Sequence, residues 1–547
     1  MTNIKIAYFS AEIGIKDKIK IYSGGLGILA GGTIKAMADL ETPFCAVSLL
    51  YKKGYFKQKI NENSWQEELE DYWDYKKILK DTKKEVKVNI KGEDVFIRIW
   101  KYEFKGITGH KTPIFLLDTN LEKNSDWAKE LTEHLYVGDR LSQEIVLGIG
   151  GFRALEKLEI NPEIYHMNEG HSAFLTLELY KKLGLEIGWD DGHVKDKCVF
   201  TTHTPIPAGH DKFKYNEVYE ALKGEDKIIP LHIKKLAGEN ELNTTKLAMS
   251  FSSHINAVSE KHAEVTREMF PDFTIYGITN GVHAASWANK YLTKILDEKI
   301  KGWKEDSTKL NQVFKIKNEL IWDSHIKAKS DMINFINKNN ITGAKLKKDV
   351  LTIGFARRFI AYKDAELIFQ NIYNLKKLGK KVQFVFAGKS HKNDILGKEI
   401  MKRIIDNAKE LKDFISIAFI PDYDKDSAKF LVSGSDLWLN TPIPYNEASG
   451  TSGMKAAING CLHFSRLDGW AIESFEMNGG GFPICDYNDL MSTLEYKIIP
   501  MFYSDDKTPW ICEMKLSIGN SGSYFNTHRM AKEYIRNAYK LKNLKLK

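Results

Sequence analysis

The sequence LTIGFARRFIAYK, residues 351–363, decides the fold class. Its first five residues form an uncharged run rich in β-branched and aromatic side chains, typical of a strand buried on both faces of a parallel sheet. Arg357, Arg358 and Lys363 follow this run closely. The carboxyl ends of strands in open α/β sheets face the ligand crevice, so we expect these cations to bind an anion there. Arginine binds phosphate oxygens through paired hydrogen bonds, and lysine adds a point charge.

Similar short apolar runs recur along the chain and alternate with helical patterns such as those at 141–155 and 172–183. The other predicted strands lie at 4–9, 44–50, 95–100, 114–117, 164–167, 199–203, 255–258, 382–387, 415–420 and 437–441. This alternation predicts an α/β protein built from doubly wound, Rossmann-like units.

The length of 547 residues predicts two or three domains. The strand series pauses after TNGVHAASW, and a charged, strand-poor stretch follows up to about residue 348. We therefore predict an N-terminal Rossmann-like domain at 1–285, a C-terminal one at 286–525, and a last amphipathic helix at 526–547. In that helix Met530, Tyr534, Ala538 and Leu541 form an apolar stripe.

Composition excludes several classes of protein. The net charge of +8 is a mild excess, and no basic stripe is interleaved with aromatic residues, so we predict no nucleic-acid partner. The five cysteines are widely spaced without a CxxC pair, which indicates neither a zinc ribbon nor a disulfide framework. The N-terminus shows no signal-peptide pattern, and no apolar run approaches the ~20 residues that span a bilayer. These features predict a cytoplasmic protein without a membrane partner.

The first glycine-rich element is SGGLG, residues 23–27, which precedes a helical run. A glycine loop that opens a helix presents backbone N–H groups and the positive end of the helix dipole, which suits an anion. A simple tight turn is the alternative. The element is not a GxGxxG directly after the first strand, so a dinucleotide site is not indicated.

The second element is EASGTSGMK, residues 447–455. Its glycines and hydroxyl groups could bind a phosphate, although the Walker A spacing is absent. Lys455 is flanked by Met454, Ala456 and Ile458. Desolvation among such neighbours would lower the lysine pKa and make the amine a nucleophile, for example toward an aldehyde cofactor. A surface lysine near a turn is the alternative.

Three further polar segments lie at strand ends of the first half: HMNEGH at 166–171, THTPIP at 202–207 and TNG at 279–281. Short polar side chains of this kind suit the hydroxyl groups of a sugar. The spacing of His166 and His171 is poor for one helix face, and no third ligand is placed by sequence. We therefore predict no metal site.

Ten stretches together resemble the α-glucan (glycogen or maltodextrin) phosphorylases of the short bacterial and archaeal type. They are YFSAEIG, YSGGLGILAG, LLYKKGYFKQ, QEIVLGIGG, HMNEGHSAF, FTTHTPIPAGHDKF, ITNGVH, FARRFIAYK, EASGTSGMKAAING and FNTHRMAKEY, and they run from residue 8 to residue 534. EASGTSGMK is the most specific of them, whereas SGGLG alone also fits glucan synthases that use sugar nucleotides.

The resemblance implies a GT-B fold, with two Rossmann-like domains facing a cleft and the last helix packing back across both. It implies an enzyme that uses inorganic phosphate to release the non-reducing-end glucosyl unit of an α-1,4-glucan as α-glucose 1-phosphate, with retention of configuration. The implied cofactor is pyridoxal 5′-phosphate, whose phosphate group rather than its ring takes part in the acid–base chemistry.

The resemblance also assigns roles to individual residues. Lys455 would hold the cofactor as a Schiff base, Arg358 would bind the substrate phosphate, and Arg357 and Lys363 would bind mainly the cofactor phosphate. The catalytic residues would be Lys455, Arg358, Lys363, His203 and Glu447. The cofactor-binding residues would be Lys455, Gly24, Gly25, Gly27, Arg357, Lys363, Tyr423, Thr451 and Gly450. The substrate-binding residues would be Arg358, His203, Asn280, Glu447, Ser449, Gly450, Glu169 and His171.

The chain departs from the family pattern at a few positions. Gly32 replaces an acidic residue, and Ile360-Ala361 replaces the His-Glu of larger relatives. Long N-terminal and inserted segments that carry phosphorylation and nucleotide control in animal enzymes are missing, so we expect that control to be absent. Relatives of this kind often form dimers or larger assemblies, which leaves a homo-oligomer open.

Two other functions compete with this interpretation. A glucosyltransferase that uses a sugar nucleotide would share the fold and SGGLG, but it would have no role for Lys455. An inactive glucan-binding protein would have no need of Lys455, Arg358, Lys363 and Glu447 together.

Overall fold

The computed structural model describes residues 4–225 and 227–541. Contacts divide the described residues into two compact units. Unit 1 comprises the described residues up to Phe56, the segment Glu70–Thr279, and the described residues from Met530 onward. Unit 2 comprises Lys57–Leu69 and Asn280–Arg529. Among the described residues, no helix combines the length and the apolar composition needed to cross a membrane.

The strands in the described residues are, in chain order, β1 (Ile6–Ser10), β2 (Phe44–Leu49), β3 (Lys57–Ile60), β4 (Gln66–Leu69), β5 (Lys80–Ile90), β6 (Glu93–Lys105), β7 (Lys111–Asp118), β8 (Ile164–Asn168), β9 (Cys198–Thr201), β10 (Lys212–Lys214), β11 (Glu241–Asn243), β12 (His254–Ala257), β13 (Tyr276–Gly277), β14 (Leu351–Ala356), β15 (Val382–Ala387), β16 (Ser416–Ile420), β17 (Leu437–Asn440), β18 (Leu462–Arg466) and β19 (Gly481–Ile484).

The α-helices of the same residues are α1 (Gly25–Asp39), α2 (Asp126–Glu130), α3 (Arg140–Ile145), α4 (Gly151–Lys157), α5 (Leu175–Ile187), α6 (Asp191–Lys195), α7 (Tyr215–Ala221), α8 (Ile233–Ala237), α9 (Thr244–Ser250), α10 (Glu260–Met269), α11 (Ala284–Trp287), α12 (Lys290–Lys299), α13 (Asn318–Asn339), α14 (Ile372–Leu378), α15 (Ile395–Glu410), α16 (Lys425–Gly434), α17 (Thr451–Ala457), α18 (Trp470–Glu476), α19 (Tyr487–Thr493), α20 (Ile499–Tyr503), α21 (Thr508–Leu516) and α22 (Thr527–Glu533).

Unit 1 is built on one large sheet with the strand order β13-β12-β9-β8-β1-β2-β7-β6-β5. The strands from β13 to β7 run parallel, and β6 and β5 extend the sheet as an antiparallel edge. Every residue of β1, β2 and β8 is buried, which explains their apolar sequences. The strand order reverses between β1 and β8, so the segments after these two strands lie where α/β sheets bind ligands.

Unit 2 contains a six-stranded parallel sheet in the order β16-β15-β14-β17-β18-β19. Counted from β14, this order is 3-2-1-4-5-6, the doubly wound arrangement of dinucleotide-binding folds. The order reverses between β14 and β17. The cations after β14 and the segment after β17 that leads to EASGTSGMK therefore both start at this switch point.

All eleven strands predicted from apolar runs are present, with shifts of a few residues at their ends. The remaining strands were not predicted, because their sequences do not form continuous apolar runs. β5 begins with the polar run KDTKK, and the pairs β3–β4 and β10–β11 are short, charged ribbons. The four-residue edge strand β19 contains Pro483, which an edge strand tolerates because it lacks one set of ladder bonds.

The predicted helices are present with interruptions. The helix predicted at 141–155 consists of α3, a π-helical segment at Val146–Gly150 and α4. The helix predicted at 172–183 starts with a short turn at Gly170–Ser172 and continues as α5.

The predicted C-terminal helix appears as α22 followed by a π-helical segment at Tyr534–Tyr539, and residues 542–547 lie outside the described residues. Met530, Tyr534 and Ala538 are buried in the core of unit 1, as the apolar stripe predicts. Arg529, on the same helix, is also buried, and it donates a hydrogen bond to the backbone oxygen of Asn280 at 3.1 Å.

The predicted domain bounds and the packing of the last helix across both domains remain predictions. Within the contact-based units, residues 57–69 belong to unit 2 although they precede most of unit 1 in sequence. Asn280 also belongs to unit 2.

Candidate active site

A buried cluster of charges follows β14 in unit 2. Arg357 donates hydrogen bonds to the side chains of Asn440 and Glu447, the latter at 2.5 Å. Lys363 donates to the same carboxylate oxygen of Glu447. Burial raises the pKa of Glu447, but Arg357 and Lys363 outweigh this effect and hold the pKa below its usual range. The carboxylate therefore stays ionised between its two cations.

Lys363 is only 7% exposed. Burial and the neighbouring charge of Arg357 lower the pKa of Lys363 to about 7, although Glu447 opposes this shift. A phosphate group placed beside Arg357 and Lys363 would be stabilised by both cations in surroundings where charges interact strongly.

Arg358 differs from its neighbour because its side chain is exposed. Within the part of the chain that the structure describes, it forms neither a hydrogen bond nor an ion pair. Its charge is thus uncompensated at the carboxyl end of β14, where a phosphate substrate would find a guanidinium with all its donors available.

Lys455 lies on α17 and is 8% exposed. Its Nζ lies 4.5 Å from the centre of the Trp287 ring and makes no hydrogen bond or ion pair with any described residue. Burial, followed by the charges of Lys425 and Arg357, lowers the pKa of Lys455 to about 7. At neutral pH a large share of this amine is therefore unprotonated and nucleophilic.

Several buried polar atoms around α17 have no hydrogen-bond partner in the described residues. They include Arg357 Nε, Ser449 Oγ, both ring nitrogens of His463 and Trp470 Nε1. Buried polar atoms are nearly always paired in folded proteins, so such a group suggests a missing polar ligand. An amine, a guanidinium and a hydroxyl fit the aldehyde and phosphate groups of pyridoxal phosphate.

The other residues predicted to bind the cofactor in unit 2 lie at the ends of its elements. Gly450 directly precedes α17 with φ of +84°, a conformation that favours glycine, and Thr451 is the first residue of that helix. Tyr423 follows β16 and is half-buried, and burial raises the pKa of its hydroxyl.

In the glycine loop of unit 1, two backbone N–H groups already donate to a carboxylate of the same unit. Glu12 follows β1 and accepts hydrogen bonds from the backbone N–H groups of Ser23 at 2.7 Å and Gly24 at 3.2 Å. The first-turn N–H groups of α1, including those of Gly25 and Gly27, have no acceptor within the helix. They remain available for an anion, whereas the N–H of Gly24 does not.

His203 follows β9 and is held by the last residue of β8, Asn168, and by the residue after it, Glu169. Its Nε2 lies 2.7 Å from Asn168 Oδ1, and its backbone N–H donates to the carboxylate of Glu169. Glu169 also accepts from the Thr204 hydroxyl at 2.9 Å. Burial and the neighbouring histidines lower the pKa of His203 to about 3, so its ring is neutral at physiological pH.

The two remaining predicted substrate-binding residues have unused polar atoms. His171 lies 3.7 Å from Asp211, its Nδ1 is buried without a partner, and burial lowers its pKa to about 3. Asn280 is 3% exposed, and its Oδ1 has no hydrogen-bond partner among the described residues.

The structure thus brings Arg357, Lys363 and Glu447 into direct contact. Other residues of the site escaped the sequence analysis: Glu12, Trp287, Lys425, Asn440 and Asp468. Glu12 and Asn440 stand at or just after strand ends, which is the signal that could have found them. Asp468 also lies just after a strand, but the sequence did not predict that strand, β18. Trp287 and Lys425 lie in segments without a pattern of their own.

A sequence profile described as "Carbohydrate phosphorylase" matches residues 15–103 and 199–481. The chain belongs to the carbohydrate phosphorylase family. It is similar to maltodextrin phosphorylase of Thermococcus litoralis, at 36% identity over 98% of this chain and 70% of that protein. It is also similar to glycogen phosphorylase of Aquifex aeolicus, at 35% identity over 98% of this chain and 86% of that protein. An uncharacterized protein of Methanocaldococcus jannaschii is 32% identical over 98% of this chain and 99% of its own length.

Membership of the carbohydrate phosphorylase family confirms three predictions: the family itself, an enzyme of the glycosyltransferase class, and the α/β fold class. Two α/β units with parallel sheets are consistent with the GT-B fold of phosphorylases. The roles of individual residues remain predictions.

Proposed function

We propose that this protein is an α-1,4-glucan phosphorylase, which transfers the non-reducing-end glucosyl unit of glycogen or maltodextrin to inorganic phosphate and releases α-glucose 1-phosphate. The observation that carries the proposal is the environment of Lys455. A buried amine without an anionic partner, whose pKa is lowered in part by the charge of Arg357, is suited to a phosphate-bearing aldehyde. The family and the names of the relatives support the same reaction.

Lys455 would be the attachment point of pyridoxal phosphate in this proposal. Arg357, Lys363 and the hydroxyl groups of Ser449 and Thr451 would hold its phosphate group. When bound, the cofactor supplies a phosphate group that exchanges a proton with inorganic phosphate during cleavage of the glycosidic bond. Retention of configuration at the sugar follows from the same proposal.

Arg358 would bind the inorganic phosphate. Its exposed guanidinium has no competing carboxylate among the described residues, in contrast to Arg357, which already contacts Glu447. Two phosphate groups close together repel each other, and the three cations of this segment would reduce that repulsion.

Glu447 would bind hydroxyl groups of the glucosyl unit. In the structure it accepts from Arg357 and Lys363. A phosphate group that takes up these two cations would leave lone pairs of the carboxylate free for sugar hydroxyls. Glu447 would then respond to the bound phosphate group and also orient the sugar.

His203 and Asn280 would also bind the glucosyl unit. The neutral ring of His203 directs its one N–H, at Nε2, to Asn168 Oδ1, which leaves Nδ1 to accept from a hydroxyl group. The unpartnered Oδ1 of Asn280 can accept from another. A site that pairs each hydroxyl group rejects analogues that lack one. Glu169 and His171 would lie toward the oligosaccharide side. That residues of both units act on one substrate remains a prediction, as do a cytoplasmic location and a homo-oligomer.

The test is an assay of the purified protein with maltodextrin and inorganic phosphate, in which glucose 1-phosphate is measured enzymatically. We expect phosphate-dependent product, and no glucosyl transfer when a sugar nucleotide replaces glucose 1-phosphate as the donor in the reverse direction. Near-ultraviolet absorbance that borohydride treatment alters would support the cofactor. Transfer from a sugar nucleotide without phosphorolysis would overturn the proposal.

A further inference from the structure

Asp468 lies in the turn after β18 and is completely buried. One of its carboxylate oxygens, Oδ2, accepts the backbone N–H of Glu447 at 3.0 Å. The other, Oδ1, accepts the backbone N–H of Gly469 at 2.8 Å. A single buried carboxylate therefore joins the segment after β17 to the turn after β18.

A second hydrogen bond reinforces this connection. The backbone N–H of Trp470 donates to the backbone oxygen of Ser449 at 3.0 Å. Gly469, between the two contacts, has φ of +54°, and a Cβ atom there would lie 2.5 Å from the Ser449 oxygen. The backbones approach so closely that only glycine fits, which indicates a fixed docking geometry.

The Glu447 segment needs such an anchor because it lacks regular structure. Between the end of β17 at Asn440 and the start of α17 at Thr451 the chain forms no helix or strand, and residues 443–445 are exposed. Yet the carboxylate at its end reaches Arg357 and Lys363. Burial and the Glu447 charge raise the pKa of Asp468 to about 7, while the backbone N–H groups of Glu447 and Gly469 oppose this shift. In its ionised form the carboxylate accepts charge-assisted hydrogen bonds, which are stronger than bonds to a neutral acceptor and can hold the segment in one position.

We propose that Asp468 is a positioning residue that fixes the backbone of Glu447 and so aims the Glu447 carboxylate at Arg357 and Lys363. Asp468 does not touch the substrate in this proposal. Its effect on turnover rests on the proposed function of Glu447, whereas its effect on the Glu447 backbone does not.

The first test measures the backbone directly. Asp468→Asn keeps the size of the side chain but replaces one acceptor oxygen with an NH2 group, so one of the two N–H contacts is lost. We expect hydrogen exchange of the peptide containing the Glu447 amide to quicken about tenfold in this variant, the scale of one lost hydrogen bond to a charged group. The matched control is Asp489→Asn, at a half-buried aspartate of unit 2 whose side chain accepts the backbone N–H of Cys485 at 2.8 Å. It should leave exchange at Glu447 unchanged.

The second test is a double-mutant cycle with Asp468→Asn and Glu447→Gln, read by kcat/KM for phosphorolysis. If Asp468 acts through Glu447, Asp468→Asn should lower kcat/KM about tenfold alone and less than about twofold in the Glu447→Gln background. Thermal unfolding and cofactor absorbance verify that each variant is folded and loaded. A purely structural role would instead give additive losses.

The outcomes separate the two proposals. Additive losses, or unchanged exchange at Glu447 in a folded Asp468→Asn variant, would overturn the positioning role. A wild-type protein that makes no glucose 1-phosphate would overturn the proposed function, and the exchange rate at Glu447 would then decide the role of Asp468 by itself.

Discussion

Lys455 Nζ lies 4.5 Å from the centre of the Trp287 ring, in a position where the amine has no carboxylate partner among the described residues. Asn459, one helical turn beyond Lys455, holds this arrangement, because its side-chain amide donates to the backbone oxygens of both Trp287 and Lys455, at 3.0 and 2.9 Å. The Trp287 ring and the buried helix α17 thus take the place of water around Lys455 Nζ. Without that water the charged form of the amine is less stable.

The pKa of Lys455, lowered to about 7, predicts how the cofactor-free protein takes up pyridoxal phosphate. Only the neutral amine reacts with an aldehyde, so the rate should rise with pH through about 7 and level off above it. An ordinary lysine would keep gaining reactivity up to about pH 10.4. Stopped-flow absorbance across this pH range measures the rate.

Lys455→Ala should abolish both the near-ultraviolet absorbance and the activity. The matched control is Lys412→Ala, at an exposed lysine of the same unit, which should change neither. A rate that still climbs beyond pH 9, or an active Lys455→Ala protein, would refute the assignment of Lys455.

Arg358→Ala should lower kcat/KM for phosphorolysis at least ~100-fold, the scale lost when one charge-stabilising donor is removed. The cofactor should stay bound, since Lys455, Arg357 and Lys363 are unchanged. Initial rates at varied phosphate concentration and the cofactor spectrum test both statements. Arg403→Ala is the control, because Arg403 is exposed and pairs with Glu366. If the Arg358→Ala variant kept a normal rate and a normal affinity for phosphate, Arg358 would have a structural role instead.

Gly27 and Gly25 offer a matched pair within the glycine loop. A Cβ atom at Gly27 would lie 2.6 Å from the Tyr22 Cβ and 2.8 Å from the Glu12 carboxylate, whereas one at Gly25 would meet nothing within 4 Å. Gly27→Ala should therefore destabilise unit 1 by about 1–3 kcal/mol through overpacking. Gly25→Ala should be neutral or stabilising by up to ~1 kcal/mol. Denaturant unfolding measures both, and equal stabilities would contradict the close packing of Glu12 against the loop.

The sequence alone predicted most of the strands that are buried on both faces, because such strands are continuous apolar runs. It missed the buried strand β18, in which His463, Ser465 and Arg466 interrupt the apolar run. It also placed Arg357 and Lys363 correctly at the end of β14, since strand ends bind ligands in open sheets. The sequence could not predict the ribbons of β3 to β5, because exposed strands carry polar residues that also occur in loops.

The sequence also could not predict the hydrogen bonds between residues that lie far apart along the chain. Asp468 contacts Glu447 across two neighbouring strands, and Glu12 contacts Ser23 and Gly24 across a loop. No local spacing encodes these pairs, because they form only when β17 and β18 lie side by side or when the loop folds back. The sequence can therefore mark a residue near a strand end, but only the structure shows which backbone groups that residue holds.

Glu169 also positions a neighbouring segment, and its contacts lead to a prediction for unit 1. Its carboxylate accepts the backbone N–H of His203 and the Thr204 hydroxyl, so it fixes the loop that carries His203. Glu169→Ala should release this loop and lower kcat/KM for phosphorolysis about 100-fold, as a displacement of about 1 Å can do. Glu169→Gln keeps one acceptor oxygen and should lose less.

Glu163→Gln is the control for the two Glu169 variants, because Glu163 lies just before β8 and its exposed side chain forms an ion pair with Lys5 at 2.9 Å. It should behave like the wild type, since exposed pairs contribute little. Steady-state kinetics of the three variants, with hydrogen exchange of residues 202–204, distinguish a lost anchor from a lost substrate contact. A lost anchor speeds exchange in Glu169→Ala and, to a lesser degree, in Glu169→Gln. A large kinetic loss with unchanged exchange would mean that Glu169 contacts the glucan directly and does not anchor His203.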